Sequence, residues 1–186
     1  MASRLSPVLS ALDLPWEELQ AARLDGEVFA IDDCFSPIDE FERGTHRGMS
    51  LAATVSHKLI AERRTAAWIH GARANPPVVH QLCVSLSARA HVPWNPRIAV
   101  REVVITAEEI LSIGGFAVTT PMRTVLDYLR TSAEFDEDDA TEVRALMQLA
   151  RLDPATCREQ IASRRNLPGK QRALQRLMTL ESTVRS

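Results

Sequence analysis

The strongest strand signals in this chain lie together between residues 78 and 120, and no helical-period segment separates them. VVHQLCVSL (78–86) and RIAVREVVI (97–105) are short apolar runs rich in β-branched residues. ILSIGGFAVTT (110–120) sets Gly114 and Gly115 between two further runs, which marks a hairpin. Parallel neighbours usually need a crossover helix between them. A block of strands without such helices therefore predicts an antiparallel or mixed sheet. Helical patterns stand before and after this block, so the fold class is α+β.

The front of the chain reads as a helix followed by a hairpin. Asp13 and Pro15 precede WEELQAARL, and Gly26 offers a stop. EVFAI (27–31) and CFSPI (34–38) are strand candidates joined by the turn-like pair Asp32 and Asp33, with Pro37 placing the second at an edge. Residues 39–46 read as a linker. Helices are predicted over 46–56 and 57–71, where Ala66 and Ala67 allow a neighbour to approach beside the bulky Trp68. After the strand block, Thr120 and Pro121 open a helix whose stripe is Met122, Val125, Leu126 and Leu129. Val143, Leu146, Met147 and Ala150 repeat that stripe, behind the acidic run 136–139 that suits a solvated helix N-terminus. Two more helices are expected, one after Asp153 and Pro154 and one after Pro168.

Length and charge bound the organisation. The chain has 186 residues, which suits one domain or a domain with a small appendage. Residues 1–43 carry three arginines against ten acids, 44–150 carry eleven of each sign, and 151–186 carry eight basic residues against three acids. An acidic front is a poor match for phosphates, whereas a basic tail can meet nucleic acid or an acidic partner. The basic residues of interest are Arg164, Arg165, Lys170, Arg172 and Arg176. No aromatic residue interleaves them, so base stacking is not offered. No apolar run is long enough to span a membrane, and the first residues do not read as a secretion signal. With three cysteines and no disulfide pattern, the expected setting is the cytoplasm, with reduced thiols.

The search for chemistry comes back empty. His70, His80, Cys83 and His91 cluster in sequence, but His80 and Cys83 are three apart on a strand and point to opposite faces. GMSLA (48–52) imitates a nucleophile elbow without the buried strand that such a turn requires. Phosphate-binding glycine loops and the carboxylate sets of metal-assisted phosphoryl transfer are missing from the sequence. Arg123 and Asp127 are four apart on one helix, with Arg130 three beyond, which reads as a local ion pair. A local pair of this kind makes Asp127→Ala cost about 0.5–2 kcal/mol. No cofactor, metal or catalytic set is implied.

Two stretches resemble a known family. TAAWIHG (65–71) and VTTPMRTVLD (118–127) are similar to the motifs of actinobacterial AbiEi antitoxins of type IV AbiE toxin–antitoxin systems, linked to abortive infection. The motif residues are Trp68, His70, Gly71, Thr120, Pro121, Arg123, Thr124 and Asp127. The resemblance implies a non-enzymatic antitoxin or regulator that counters a nucleotidyltransferase toxin. It also implies an N-terminal winged helix for operator binding and a following α/β domain that carries the antitoxin activity. Here only some 26 residues precede the hairpin. Residues 1–43 are therefore expected to be a degenerate winged-helix segment, used in packing or in a homodimer, and 44–186 the antitoxin domain with a helical C-terminus. DNA binding, if present, is expected to be weak and to come from the basic tail. The alternative readings are a DNA-binding transcriptional regulator acting as a dimer, and an orphan interaction module.

Overall fold

The computed structural model describes residues 6–88 and 94–184. It opens with α1 (Trp16–Leu24), a helix whose first turn carries Glu17 and Glu18. The hairpin β1 (Val28–Ile31) and β2 (Cys34–Pro37) follows, paired antiparallel from Val28↔Pro37 to Ile31↔Cys34. Its turn places Asp32 at φ 52, a left-handed conformation that aspartate tolerates better than most residues. Leu9 pairs with Phe35 on the free side of β2. Leu9, Leu19, Val28 and Phe35 form a small core of their own.

The main sheet has five strands in the order β5-β4-β3-β7-β6: β3 (Ile60–Ala61), β4 (His80–Ser85), β5 (Ile98–Val103), β6 (Ile110–Ile113) and β7 (Phe116–Thr119). The sheet is mixed. β3 runs antiparallel to β4 and parallel to β7, β4 runs parallel to β5, and β6 and β7 form the expected hairpin. The helix predicted over 57–71 is corrected here. Leu59 to Ala61 leave the helical path to fill the middle of the sheet, and α3 starts only at Arg63 (Arg63–His70). Burial between two strands outweighs the helix propensity of this segment.

Two cores meet at α3. On its sheet side Ala66, Trp68 and Ile69 pack with Leu51, Leu82, Phe116 and Val118, and with Ile31 from the hairpin. On its far side Ala67 packs against the helices α4 (Pro121–Thr131), α5 (Glu137–Leu149), α6 (Pro154–Ser163) and α7 (Lys170–Val184). Leu126, Leu129, Val143, Leu146 and Leu177 lead that second core, following the predicted stripes. Among the described residues no helix is long and apolar enough to cross a membrane.

The helix α2 (Gly44–Thr54) crosses the β6–β7 turn backbone to backbone. A Cβ on Gly48 would lie 2.0 Å from the carbonyl oxygen of Ile113, and one on Gly114 would lie 2.1 Å from that of Thr45. Both partners are backbone and neither can swing aside. Gly48→Ala is therefore expected to destabilise the fold by about 1–3 kcal/mol or more through overpacking. A shift in the urea midpoint with an unchanged slope checks it.

Candidate functional site

The two sequence motifs come together in space. Gly71 ends α3 in the left-handed conformation, at φ 87. Immediately before it, His70 Nε2 lies 2.8 Å from the Thr119 carbonyl oxygen and donates to it. Burial lowers the pKa of His70, which suits a neutral ring in this role. The next residue, Thr120, caps α4 by accepting from the Arg123 backbone N–H, and Pro121 takes the first turn. Thr124 Oγ1 and Thr119 Oγ1 are 2.7 Å apart, closing the junction from within. Trp68 is 1% exposed, with the Arg47 guanidinium 5.6 Å from its ring centroid and the His80 ring at 6.1 Å.

Asp127 is the centre of a buried charge network that is wider than a local pair. Arg123 Nε donates to its Oδ2 at 2.9 Å, and Arg130 Nε donates to its Oδ1 at 2.8 Å. Arg101 reaches it from β5, with Nη2 3.1 Å from Oδ2. Arg101 Nε also donates to both oxygens of Glu62, a fully buried carboxylate that is further paired with Arg63. Arg123 Nη1 contacts Glu109 at 2.6 Å, and Glu109 holds Arg164 at 2.5 Å. Burial alone would lower the pKa values of Arg101 and Arg123; the surrounding carboxylates reverse this and hold both cationic.

Sequence reasoning found Arg123, Asp127 and Arg130 but missed Glu62, Arg101 and Glu109. Arg101 carried a readable signal, because it lies in phase with Val103 on the inward face of its strand. Glu62 and Glu109 sit at element ends, where no periodicity marks them. The acidic run is also corrected. The run does open α5, with Asp136 as its cap, but Asp139 is 2% exposed and takes two donors from Arg64 of α3. Glu142 behind it is held by Tyr128 and Arg73.

The basic tail does not form one face. Arg164 belongs to the Asp127 network, and Lys170 Nζ donates to the carbonyls of Ala162 and Arg164 at the end of α6. Arg176 donates to the Leu129 carbonyl and covers the Phe135 ring at 4.9 Å. Arg165 and Arg172 make no ion pair or side-chain hydrogen bond among the described residues. Ser50 of the elbow-like GMSLA lies inside α2, fully buried, and donates to the Arg47 carbonyl. Among the described residues no group of histidine, cysteine or acid side chains is arranged for a metal ion; His91 lies outside them.

Asp32, His80 and Thr65 line up in the order of a catalytic triad. His80 Nε2 is 2.9 Å from Asp32 Oδ2, and Thr65 Oγ1 is 3.4 Å from His80 Nδ1. The hydroxyl is fully buried and already accepts the Gln81 backbone N–H, so no substrate reaches it. The arrangement is a latch between hairpin and sheet, reinforced by Arg97 on Asp32 at 2.7 Å. Burial would raise the Asp32 carboxyl pKa, but the hydrogen bonds and charges of His80 and Arg97 outweigh it and hold the value below the ordinary one. A carboxylate with a lowered folded pKa stabilises above its unfolded value, and that stability is lost as pH falls through the folded value. Asp32→Asn is expected to cost about 1–3 kcal/mol near neutral pH. The gap from wild type should close as pH falls below the ordinary carboxylate range, as read by denaturation at several pH values.

Asp127 carries a larger expectation than a local pair would give. Removing a fully buried acid from three guanidiniums leaves those charges uncompensated, so Asp127→Ala should cost about 3–5 kcal/mol. Equilibrium urea unfolding measures this.

Comparisons with known proteins bear on the same residues. The model of the AbiEi antitoxin C-terminal domain matches residues 59–180, from the approach to β3 into α7. No curated protein matches the chain. Among solved structures, the RV2827C protein from Mycobacterium tuberculosis is similar over 96% of this chain and 72% of that one, at 14% identity and a TM-score of 0.47. The family match covers well over half of the chain and includes both motifs and the Asp127 network, so the protein belongs to the AbiEi antitoxin family.

Proposed function

We propose that this protein is the antitoxin of a cytoplasmic toxin–antitoxin pair and counters a nucleotidyltransferase toxin without catalysing a reaction itself. The observation that carries this reading is the antitoxin-domain match over 59–180. An antitoxin domain implies a toxin partner; the nucleotidyltransferase class rests on the motif resemblance. On this reading the activity belongs to residues 44–186. Residues 1–43 serve as a winged-helix remnant used in packing, a role supported by a single helix leading into a hairpin and by ten acids against three arginines.

The working surface proposed is the basic side of α7 and the loop before it. Arg172 and Arg176 line a cleft of about 480 Å³ between α5 and α7, whose other wall carries Phe135, Asp136, and Arg144 paired with Glu137. Burial lowers the pKa of Arg176, and the neighbouring Arg172 charge lowers it further. Cations pressed together in this way gain from an anionic neighbour. Arg165 adds an exposed charge in the loop before α7. Such a face attracts an acidic partner or competes for the toxin's nucleic-acid substrate.

Growth rescue tests the reading. Co-expression with the toxin encoded beside this gene should restore growth, and the full-length R165E/R172E variant should lose that rescue while its thermal midpoint stays within about 4 °C of wild type. Full rescue by the variant would remove this face from the mechanism. Failure of the wild type against each neighbouring toxin candidate would favour an orphan interaction module.

A further inference from the structure

The charges gathered around Asp127 do not balance. The linked set contains three carboxylates, Glu62, Glu109 and Asp127, and five guanidiniums, those of Arg63, Arg101, Arg123, Arg130 and Arg164. The surplus is two positive charges, and its placement is ordered. Glu62 and Asp127 have no exposed side-chain surface, and Arg123 is 3% exposed. The side chains of Arg63, Arg101, Arg130 and Arg164 are 19%, 27%, 13% and 31% exposed. Glu109 is 15% exposed, so two of the three carboxylates lie fully inside while four of the five guanidiniums reach the rim.

Each rim guanidinium is fixed along one edge and open along another. Arg63 contacts Glu62 through Nε and Nη2, Arg101 contacts it through Nε, Arg130 holds Asp127 through Nε and Nη2, and Arg164 holds Glu109 through Nη2. Among the described residues the side-chain hydrogen bonds of these four arginines run through Nε and Nη2, and none uses Nη1. Arg101 Nη2 is buried without a hydrogen-bond partner; it lies near Asp127 but outside hydrogen-bonding geometry. Arg63 itself sits at φ 43, a left-handed state that arginine keeps only when its surroundings hold it there. The loop that carries Arg164 rests on the end of α4, since a Cβ on Gly169 would fall 2.7 Å from the Arg130 carbonyl oxygen.

Planar forks, oriented in advance and holding spare donors, match the oxygens of a phosphate group. We propose that Arg63, Arg101, Arg130 and Arg164 form a binding site for the phosphate groups of a nucleotide or a nucleic-acid strand. The site is separate from the α5–α7 cleft and does not depend on the identity of a toxin. It takes its donors from α3, β5, α4 and the α6–α7 loop, so no run of basic residues in the sequence announces it.

The test uses the full chain and a fluorescent single-stranded oligonucleotide of about 12 nucleotides, read by anisotropy across a salt series. Saturable binding at low salt is expected. The R63Q/R164Q variant should bind at least about tenfold more weakly, with the salt slope reduced by about one for each arginine removed. R23Q/K58Q, which removes two exposed cations outside both this site and the α7 face, should bind like wild type. Competition separates the sources: displacement by ATP, with inorganic phosphate as the weaker competitor, assigns a nucleotide site, and resistance to ATP assigns the strand; either supports the proposal. If R63Q/R164Q does not fold, modification of wild-type arginines by phenylglyoxal, mapped by mass spectrometry, replaces it. The strand or ATP should then protect Arg63, Arg101, Arg130 and Arg164. Absence of saturable binding, unchanged binding by R63Q/R164Q, or an equal loss in R23Q/K58Q would overturn the proposal, as would equal labelling of the four arginines with and without ligand.

Discussion

Eight residues of α3 lie between the sheet and the helical layer, and neither layer closes without them. A helix buried on two sides has little room for polar side chains or for bulk facing both ways. The sequence meets this with Ala66 and Ala67 where backbones approach and with one large ring, Trp68, on the sheet side. His70 then carries a hydrogen bond from the end of α3 to the last carbonyl of β7. The two family motifs are thus one physical unit: a central helix and the strand-to-helix junction against which it ends.

Charge pairing finishes what packing begins. The layers are joined by buried acids, each with a basic partner from another element: Asp32 with His80 and Arg97, Glu62 and Asp127 with Arg101, Asp139 with Arg64, and Glu142 with Arg73. Such pairs add little net stability over an apolar core but penalise any arrangement that separates them. Five of the eleven acids in the middle of the chain, Glu62, Glu109, Asp127, Asp139 and Glu142, are taken up in this way.

Much of the architecture was legible because it rests on local rules. The Gly114–Gly115 hairpin, the Thr120 cap with Pro121 and the stripes of α4 and α5 follow from turn chemistry and periodicity. What was not legible depends on distant partners. Ile60 and Ala61 are a strand only because β4 and β7 flank them. Asp139 and Asp32 look like surface residues in a helix start and a turn, and they are buried only because Arg64 and His80 come to meet them. The candidate site divides in the same way. Arg123 and Asp127 share a helix and can be paired on paper, whereas Arg63 and Arg101 come from other elements and join them only in the folded chain.

The parallel pairing of β3 with β7 has a consequence for how the molecule is made. Ile60 waits for Ala117, and Ala61 for Val118, with β4, β5 and β6 all lying between them in the chain. Closing so long a loop comes at an entropic cost before any contact repays it, and topologies of this kind fold slowly. During synthesis the α3 segment emerges before β7 and the later helices, so its apolar side chains still face water, and a helix of 8 residues gains little stability without that packing. The sheet gains its central partner only when β7 leaves the ribosome, and the second core closes later still, after α7. A nascent copy therefore exposes the apolar surface around Trp68 until the later elements arrive, and transiently exposed surface of this kind is what chaperones and proteases meet.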